Sequence, residues 1–344
     1  MIQKKIIVIL DKEDFSFNDL IEKPLAGAQS AFIELVKAFA GLGHYVVVRN
    51  NCNYEHFEEN IDWRHIGKGV VIPGADLFIV NRSISLLSIP PRGARVLFWL
   101  HNDARYLLRV KNLFQLTFRY PIIIFSGQYH RSTFPIWFLF RTCIIPLGIS
   151  DCFVVSKHTF KAPKPKVIFT SNPLRSLHWL IDRWRNIRKS VPDAELHIFS
   201  GASTYGSWGK SVVLMINKVL DYVKGNQHLG IILHDPLPKS LLVEEISKSR
   251  AMLYRGDKAE TFCLAVAEAQ ALGLPCVVQD LGSMKERVFN GLTGFVTKND
   301  EEFEQKAIFI LTEDHTWIKL NKYLLDTPHY LKWQQVGNMF LNIS

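Results

Sequence analysis

Residues 254–275 read YRGDKAETFCLAVAEAQALGLP. The apolar run Met252–Tyr254 reads as a strand, a polar loop follows and carries Glu260, and apolar spacing predicts a helix from Phe262 to Leu272. Glu268 falls two turns into that helix. At 1.5 Å per residue, carboxylates eight positions apart stand about 12 Å apart if both are helical. That is too far for a close acid/base pair, but it suits a grip on two ends of one extended ligand. Between them, the N–H groups that open the helix, expected at Thr261, Phe262 and Cys263, favour an anion such as a diphosphate. Hydroxyls at both ends and a diphosphate in the middle describe a nucleotide sugar. A plainer reading stays open: Glu260 as a first-turn acid favoured by the helix dipole, and Glu268 as an exposed helix residue.

Strands alternate with helices on either side of this segment. Towards the N-terminus lie a helix near Ser240–Ser249, strand Ile231–Leu233, a helix around Ser211–Val223, strand Glu195–Phe199, a helix from Pro173 and strand Val167–Thr170; strand Pro275–Gln279 follows the segment. Before residue 157 the pattern is the same. Ile6–Leu10 is a continuous β-branched run, typical of a central parallel strand. Gln29–Leu42 places Phe32, Leu35, Val36 and Phe39 at helical spacing and stops at Gly43. Strands Tyr45–Val48, Leu77–Val80, Val96–Leu100, Ile122–Phe125 and Cys152–Val155 continue the series. Residues 157–166, KHTFKAPKPK, have two prolines, four lysines and no apolar period, and read as a linker. The last 30 residues read as amphipathic helix without a strand. The expectation is an α/β protein with two doubly wound, Rossmann-like domains, 1–160 and 161–326. They face a central cleft, where ligands bind beyond the carboxyl ends of the strands. Residues 327–344 are expected to form a closing helix.

Composition narrows the class. Hydrophobic residues make up 48% and charged residues 21% of 344, which excludes disorder, collagen and coiled coil. No stretch of 18 apolar residues is free of charge, and the nearest, Phe134–Ile149, contains Arg141. The five cysteines, Cys52, Cys143, Cys152, Cys263 and Cys276, show no metal spacing and read as reduced core residues of a cytoplasmic protein. Positive charge is concentrated: residues 100–190 hold 15 Lys or Arg against 3 Asp, a net +12, which leaves about −3 elsewhere in a chain of +9. Within that block Arg105, Arg109, Lys111, Arg119, Arg131 and Arg141 interleave with Tyr106, Phe114, Phe118, Phe134, Trp137 and Phe140. Such a mixture suits an anionic membrane surface. Solvated arginines beside a half-buried helix, or single-stranded nucleic acid, are the alternatives, and no nucleic-acid partner is expected.

The segment Glu260–Pro275 resembles the Glu-x7-Glu signature of retaining glycosyltransferases of GT-B fold, notably family 4. Glu260, Phe262, Glu268-Ala269, Gly273 and Pro275 all fall in register. The resemblance extends to Pro24–Ala28 in the first strand–helix loop, Gly41–His44, Trp99–Asn102, Ile145–Ile149, Ser171–Leu177, Pro192–Leu196, and Gly282-Ser283 with Glu286, Gly291, Thr293 and Gly294. It implies two Rossmann-like domains with the last helix crossing back to the first.

The resemblance also implies roles. Glu260 would hydrogen-bond the donor-sugar hydroxyls, Glu268 the ribose hydroxyls, and Arg175 would neutralise the leaving diphosphate. Gly27, with Ala28 beside it, would let the backbone approach the phosphates, and His101 would hold the donor sugar. The sequence departs from the family at Ala26 and Ala28, which flank a single glycine, and at Thr170, Ser176 and Leu147. No D-x-D pair is present, so the implied enzyme is a metal-independent hexosyltransferase that needs no cofactor beyond its nucleotide-sugar substrate. It would transfer sugar to a glycan or lipid-linked acceptor in surface polysaccharide or glycolipid synthesis, as a cytoplasmic or peripheral membrane protein. A nucleotide-sugar epimerase of the same fold and a non-enzymatic basic binding protein are the rivals. An NAD dehydrogenase is disfavoured, because no G-x-G-x-x-G follows the first strand.

Overall fold

In the computed structural model, which describes residues 3–67, 74–154, 161–204 and 209–343, the chain divides into two units. The first comprises 1–20, 27–148 and 331–344, the second 21–26 and 149–330. A short helix, α1 (Asp19–Glu22), follows β1 (Ile6–Leu10).

The first unit is built on that β1, whose residues Ile7–Leu10 are wholly buried. Around it lie α2 (Gly27–Gly41), β2 (Tyr45–Asn50), β3 (His56–Glu58), β4 (Ile61–His65), β5 (Leu77–Asn81), β6 (Val96–Trp99), α3 (Val110–Arg119), β7 (Ile122–Phe125), α4 (Gln128–Ser132) and β8 (Thr142–Ile144). The sheet order is β3-β4-β2-β1-β5-β6-β7-β8, parallel except for the β3–β4 hairpin. Helix α2 buries Phe32, Leu35, Val36 and Phe39, as its spacing predicts. It begins two residues earlier than expected, so Gly27 and Ala28 open the helix instead of lying in the loop before it. A two-stranded ribbon pairs β9 (Gly148–Ile149) with β16 (Leu331–Lys332).

The last helix, α12 (Trp333–Leu341), packs within the first unit. Phe340 meets Phe39 edge-on at 6.3 Å and Trp99 at 5.3 Å. A Cβ on Gly337 would stand 3.3 Å from Leu42 and 3.5 Å from Ala38, so the glycine lets this helix lie close on α2. The strandless helix expected from Thr327 is thus a loop, a two-residue strand and a nine-residue helix.

Three further differences have physical causes. Strands β3 and β4 escape notice because His56–Glu58 and Ile61–His65 are rich in charge. Asp62 is accommodated by Arg49, whose buried guanidinium lies 3.0 Å from its carboxylate. The edge strand next to β7 is Thr142–Ile144, whereas the strand expected over Cys152–Val155 gives way to a 3-10 turn at Asp151–Phe153. Val155, Ser156 and residues 157–160 of the expected linker lie outside the described residues.

The second unit is regular. It comprises β10 (Lys166–Phe169), α5 (Leu177–Ser190), β11 (Glu195–Phe199), α6 (Lys210–Gly225), β12 (Ile231–His234), α7 (Lys239–Ser247), β13 (Ala251–Tyr254), α8 (Leu264–Ala271), β14 (Cys276–Gln279), α9 (Met284–Arg287), β15 (Gly294–Thr297), α10 (Asp300–Thr312) and α11 (Asp314–Asp326). All pairs are parallel, in the order β12-β11-β10-β13-β14-β15. The connections therefore reverse direction between β10 and β13. In an open α/β sheet the loops leaving the carboxyl ends at such a reversal form the natural binding crevice.

Candidate active site

The loops that leave β10 and β13 carry Arg175 and Glu260, so two residues 85 positions apart meet at the reversal of the second sheet. The β10 loop turns at Asn172, whose side chain accepts from the Leu174 N–H at 2.8 Å. It ends at Ser176, held in the left-handed region at φ 62° before α5 starts at Leu177. Ser176 Oγ donates to the Gly256 carbonyl at 3.1 Å, tying this loop to the one after β13. The helix expected from Pro173 thus starts four residues later, and Arg175 belongs to the loop.

The loop after β13 is organised by Asp257. Its Oδ1 accepts from the Ala259 N–H at 2.8 Å, and its carbonyl accepts from the Glu260 N–H at 2.9 Å, an Asx turn. The Glu260 carbonyl accepts from the Ser283 N–H at 3.0 Å. Gly282 lies against this turn at φ +61°, where a Cβ would come 2.3 Å from the Asp257 carbonyl oxygen and 2.8 Å from that of Glu260. The glycine is therefore required twice, for its conformation and for the close approach.

Around Glu260 the side chains converge. Tyr254 Oη donates to Glu260 Oε2 at 2.6 Å. Arg175 Nη1 lies 2.6 Å from Asp257 Oδ1, and its Nε lies 4.0 Å from Glu260 Oε2. Burial works against the Arg175 charge, but Glu260, Tyr254 and Asp257 outweigh it and hold the guanidinium above its ordinary pKa. Burial together with Glu260 pushes the Tyr254 phenol well up, so it stays a proton donor to the carboxylate. A permanent cation between two carboxylates, beside a fixed hydroxyl, can take a sugar hydroxyl on the acid side and an anion on the guanidinium side.

Helix α8 begins at Leu264, not Phe262. Cys263 precedes it as cap, in the left-handed region at φ 65°. Thr261 and Phe262 are therefore buried loop residues, and the amides that open the helix start at Cys263. The Arg287 guanidinium stacks over the Phe262 ring at 4.2 Å. Because Glu260 precedes the helix, the 12 Å helical spacing between the two acids does not apply. Glu268 is only 6% exposed, which removes the plainer reading of it as a solvent-facing residue. Its carboxylate is paired with Lys239 Nζ, and Lys239 opens α7 and lies 5.9 Å from the Phe153 ring. Tyr254, Asp257 and Lys239 were not singled out from the sequence. A tyrosine ending an otherwise aliphatic strand, with a hydroxyl that needs a partner, was the one available signal.

Gly27, Ala28 and His101 belong to the first unit. Gly27 does not use the left-handed region. His101 follows β6, its ring 4.3 Å from that of Trp99. Burial first, then Arg82 and His130, push its pKa well down, so it is neutral. His130 supports the same loop. Its Nδ1 accepts from the Ser126 N–H at 3.1 Å, so Nε2 carries the proton and donates to the Asn102 carbonyl at 2.9 Å. At the reversal of this first sheet, between β1 and β5, buried Asp11 accepts from Arg82 Nη2 at 2.7 Å and Asn81 Nδ2 at 2.5 Å. Among the described residues no group of three or more His, Cys, Asp or Glu is placed to hold a metal ion.

Residues 164–313 match the family model described as Glycosyl transferases group 1. This region, less than half of the chain, is similar to group 1 glycosyltransferases. The matched region contains Arg175, Lys239, Asp257, Glu260 and Glu268, whereas Gly27, Ala28 and His101 lie outside it. Over nearly its whole length the chain is similar in shape to three solved structures. The first is sucrose-phosphate synthase from Thermosynechococcus elongatus, with a TM-score of 0.77 and 13% identity over 98% of this chain and 97% of that one. The second is Anabaena HepE in complex with UDP-glucose, at 0.72 and 14% over 98% of each chain. The third is WaaG, a glycosyltransferase involved in lipopolysaccharide biosynthesis, at 0.64 and 11% over 98% of this chain and all of that one, 100%. At these identities the likeness is one of fold, and the fold is GT-B, as expected from the sequence. A comparison with the curated proteins finds no match.

Proposed function

We propose that the chain is a retaining glycosyltransferase that moves a sugar from a nucleotide-diphosphate donor to a glycan or lipid-linked acceptor, in surface polysaccharide or glycolipid synthesis at a cytoplasmic membrane face. The observation that carries this reading is the cluster of Arg175, Asp257, Glu260 and Tyr254 at the strand-order reversal of the second sheet, within the region similar to group 1 glycosyltransferases. Glu260, fixed by Tyr254 and the Ser283 amide, accepts from donor-sugar hydroxyls. Glu268, held by Lys239, accepts from the ribose. As the C1–O bond breaks, the sugar gains oxocarbenium character and the diphosphate gains negative charge. Arg175 and the amides opening α8 stabilise that charge, which is electrostatic catalysis by preorganised groups. The leaving phosphate takes the acceptor proton on the same face, so the configuration is kept and no separate base is required. His101, neutral, holds the donor sugar, and Gly27 and Ala28 approach the phosphates. Neither metal nor further cofactor enters this scheme.

The UDP-glucose bound to HepE makes uridine donors the first to try. A thermal-shift panel of nucleoside diphosphates and their sugars tests the reading, because a ligand at a hundred times its Kd stabilises by about 2.7 kcal/mol. A shift with one nucleotide class, lost in Arg175→Ala, supports it. The absence of a shift with every donor overturns it. Donor turnover that needs no acceptor and yields an epimer would turn it into an epimerase.

A further inference from the structure

Helix α3 is apolar on the side that the core does not use. Its inner face is anchored by Leu116, which is fully buried, and by Asn112, whose Nδ2 donates to the Tyr106 carbonyl at 2.8 Å. On the opposite face Val110, Phe114 and Phe118 follow one another at i, i+4 and i+8, and are 85%, 71% and 60% exposed. The Phe114 and Phe118 rings lie 6.3 Å apart and nearly parallel, one continuous apolar row. The row continues past the helix end, where exposed Tyr120 lies 6.3 Å from the Phe140 ring, next to the turn bearing exposed Phe138 and Leu139. Beside α3 runs a groove of about 470 Å³, lined among others by Leu87, Ile89, Pro90, Arg92, Phe114 and Phe118. The Arg92 guanidinium sits at its rim, 5.3 Å from the Phe118 ring centroid.

The charge around this face has one sign. From Leu77 to Ser150 the chain has nine Arg or Lys and a single acid, Asp103. That acid is taken by Arg105, at 2.5 Å. Arg92, Arg109 and Lys111 are exposed beside the apolar row. A protein has no reason to hold large apolar side chains in water in such a row unless something covers them. Cations surrounding aromatic and aliphatic side chains match the layered chemistry of a bilayer surface, phosphate headgroups outside and hydrocarbon beneath. Single-stranded nucleic acid fits less well, since Val110, Ile89 and Leu139 offer no ring for a base to stack on. At ten residues α3 is far too short to span a bilayer, so it would lie in the surface plane.

We propose that the outer face of α3, with the groove beside it, docks on an anionic phospholipid bilayer. Val110, Phe114 and Phe118 enter the headgroup–acyl boundary, and Arg92, Arg109 and Lys111 meet the phosphates. The proposal names the surface for the membrane clause above but does not depend on donor chemistry.

The test is co-sedimentation of the full chain with vesicles of phosphatidylcholine alone and of phosphatidylcholine mixed equally with phosphatidylglycerol, at low and high salt. Binding should require phosphatidylglycerol and weaken as salt screens the charges. Phe114→Asp with Phe118→Asp should lower the partition coefficient about tenfold or more, and Arg92→Glu with Lys111→Glu should do the same. Both pairs are on the surface, so the unfolding midpoint and donor binding in solution should stay at wild-type values. No preference for anionic vesicles overturns the proposal. So does vesicle binding that survives both double variants, or a wild-type dimer in size exclusion that the phenylalanine variant abolishes, because a second copy would then be the occupant. If the wild type binds vesicles but no nucleotide sugar, the catalytic reading falls and the docking face stands.

Discussion

Arg175 lies between two carboxylates, 2.6 Å from Asp257 and 4.0 Å from Glu260. Asp257 sits on the turn that presents Glu260, so the cation and the acid are fixed to one another through a single loop. Arg175→Ala is expected to lower kcat for transfer about 10²–10³-fold, the range for losing one preorganised stabiliser of developing charge. Arg175→Lys keeps a charge but loses the planar fork, and should fall between. Initial rates at saturating donor and acceptor decide. A change below threefold would remove Arg175 from the leaving-group role.

Tyr254 is fully buried, and its hydroxyl donates to Glu260. Tyr254→Phe keeps the ring and deletes the donor, leaving Glu260 Oε2 short of a partner where its side chain is only 17% exposed. The expected loss is about 1–2 kcal/mol in urea unfolding, with weaker donor binding because the carboxylate is no longer held. Unchanged stability would mean that water replaces the hydroxyl without penalty.

Lys239 and Glu268 have side chains 14% and 7% exposed. Removing one partner of so enclosed a pair leaves a charge without compensation, at a typical cost of about 3–5 kcal/mol. Glu268→Ala should therefore destabilise strongly, and Lys239→Met with Glu268→Ala should cost less than the sum of the singles, with a coupling of about 1 kcal/mol or more. A double-mutant cycle by chemical denaturation measures it. A further readout separates positioning from packing: wild type should prefer ribonucleotide over 2′,3′-dideoxynucleotide donors, and Lys239→Met should narrow that preference.

Gly282 offers the sharpest test of the Glu260 turn. Gly282→Ala places a methyl against two backbone oxygens at a φ that alanine avoids, so the expected cost is about 1–3 kcal/mol together with a displaced Glu260 and reduced transfer. Gly41→Ala is the control, because nothing lies within 4 Å of its Cβ position and its φ is not positive. It should be neutral or stabilising by up to about 1 kcal/mol. Thermal unfolding and initial rates on both variants provide the comparison.

The frame was legible because parallel strands buried on both faces read as continuous apolar runs, as in Ile6–Leu10 and Ala251–Tyr254. The Glu260–Pro275 segment was legible because the glycine, the proline and the acids keep fixed spacing along one strand–loop–helix unit. What escaped depends on contacts between distant segments. Asp257 gains its meaning only when Arg175, 82 positions away, is brought to it, and Lys239 only when α7 places it against Glu268. The start of α8 moved because the left-handed Cys263, not apolar periodicity, decides where that helix begins. The basic block between Leu100 and Ser190 mixed two kinds of aromatic residue that spacing alone does not separate: Phe134 is fully buried in the core, while Phe114 and Phe118 face outward.

His130 makes the first unit sensitive to acid. Its ring is fully buried, and burial outweighs the Asn102 carbonyl and Asp103 to lower its pKa to about 4. The unfolded imidazole titrates near 6.5, so between these values the unfolded chain holds more protons and stability rises with pH. The contribution is complete above about pH 6.5 and is lost as pH falls towards about 4. At 1.36 kcal/mol per pKa unit it amounts to about 3 kcal/mol. His101, also lowered by burial, acts in the same direction. Urea titrations at several pH values between 4 and 7 should therefore show a positive slope, and His130→Gln should flatten it whatever its effect on stability at neutral pH. The Asn102 carbonyl loses its donor in His130→Ala, which unlike glutamine offers no N–H there, so the loop bearing His101 should exchange its amides faster in that variant at pH 7. A slope unchanged in His130→Gln would show that the acid sensitivity arises elsewhere.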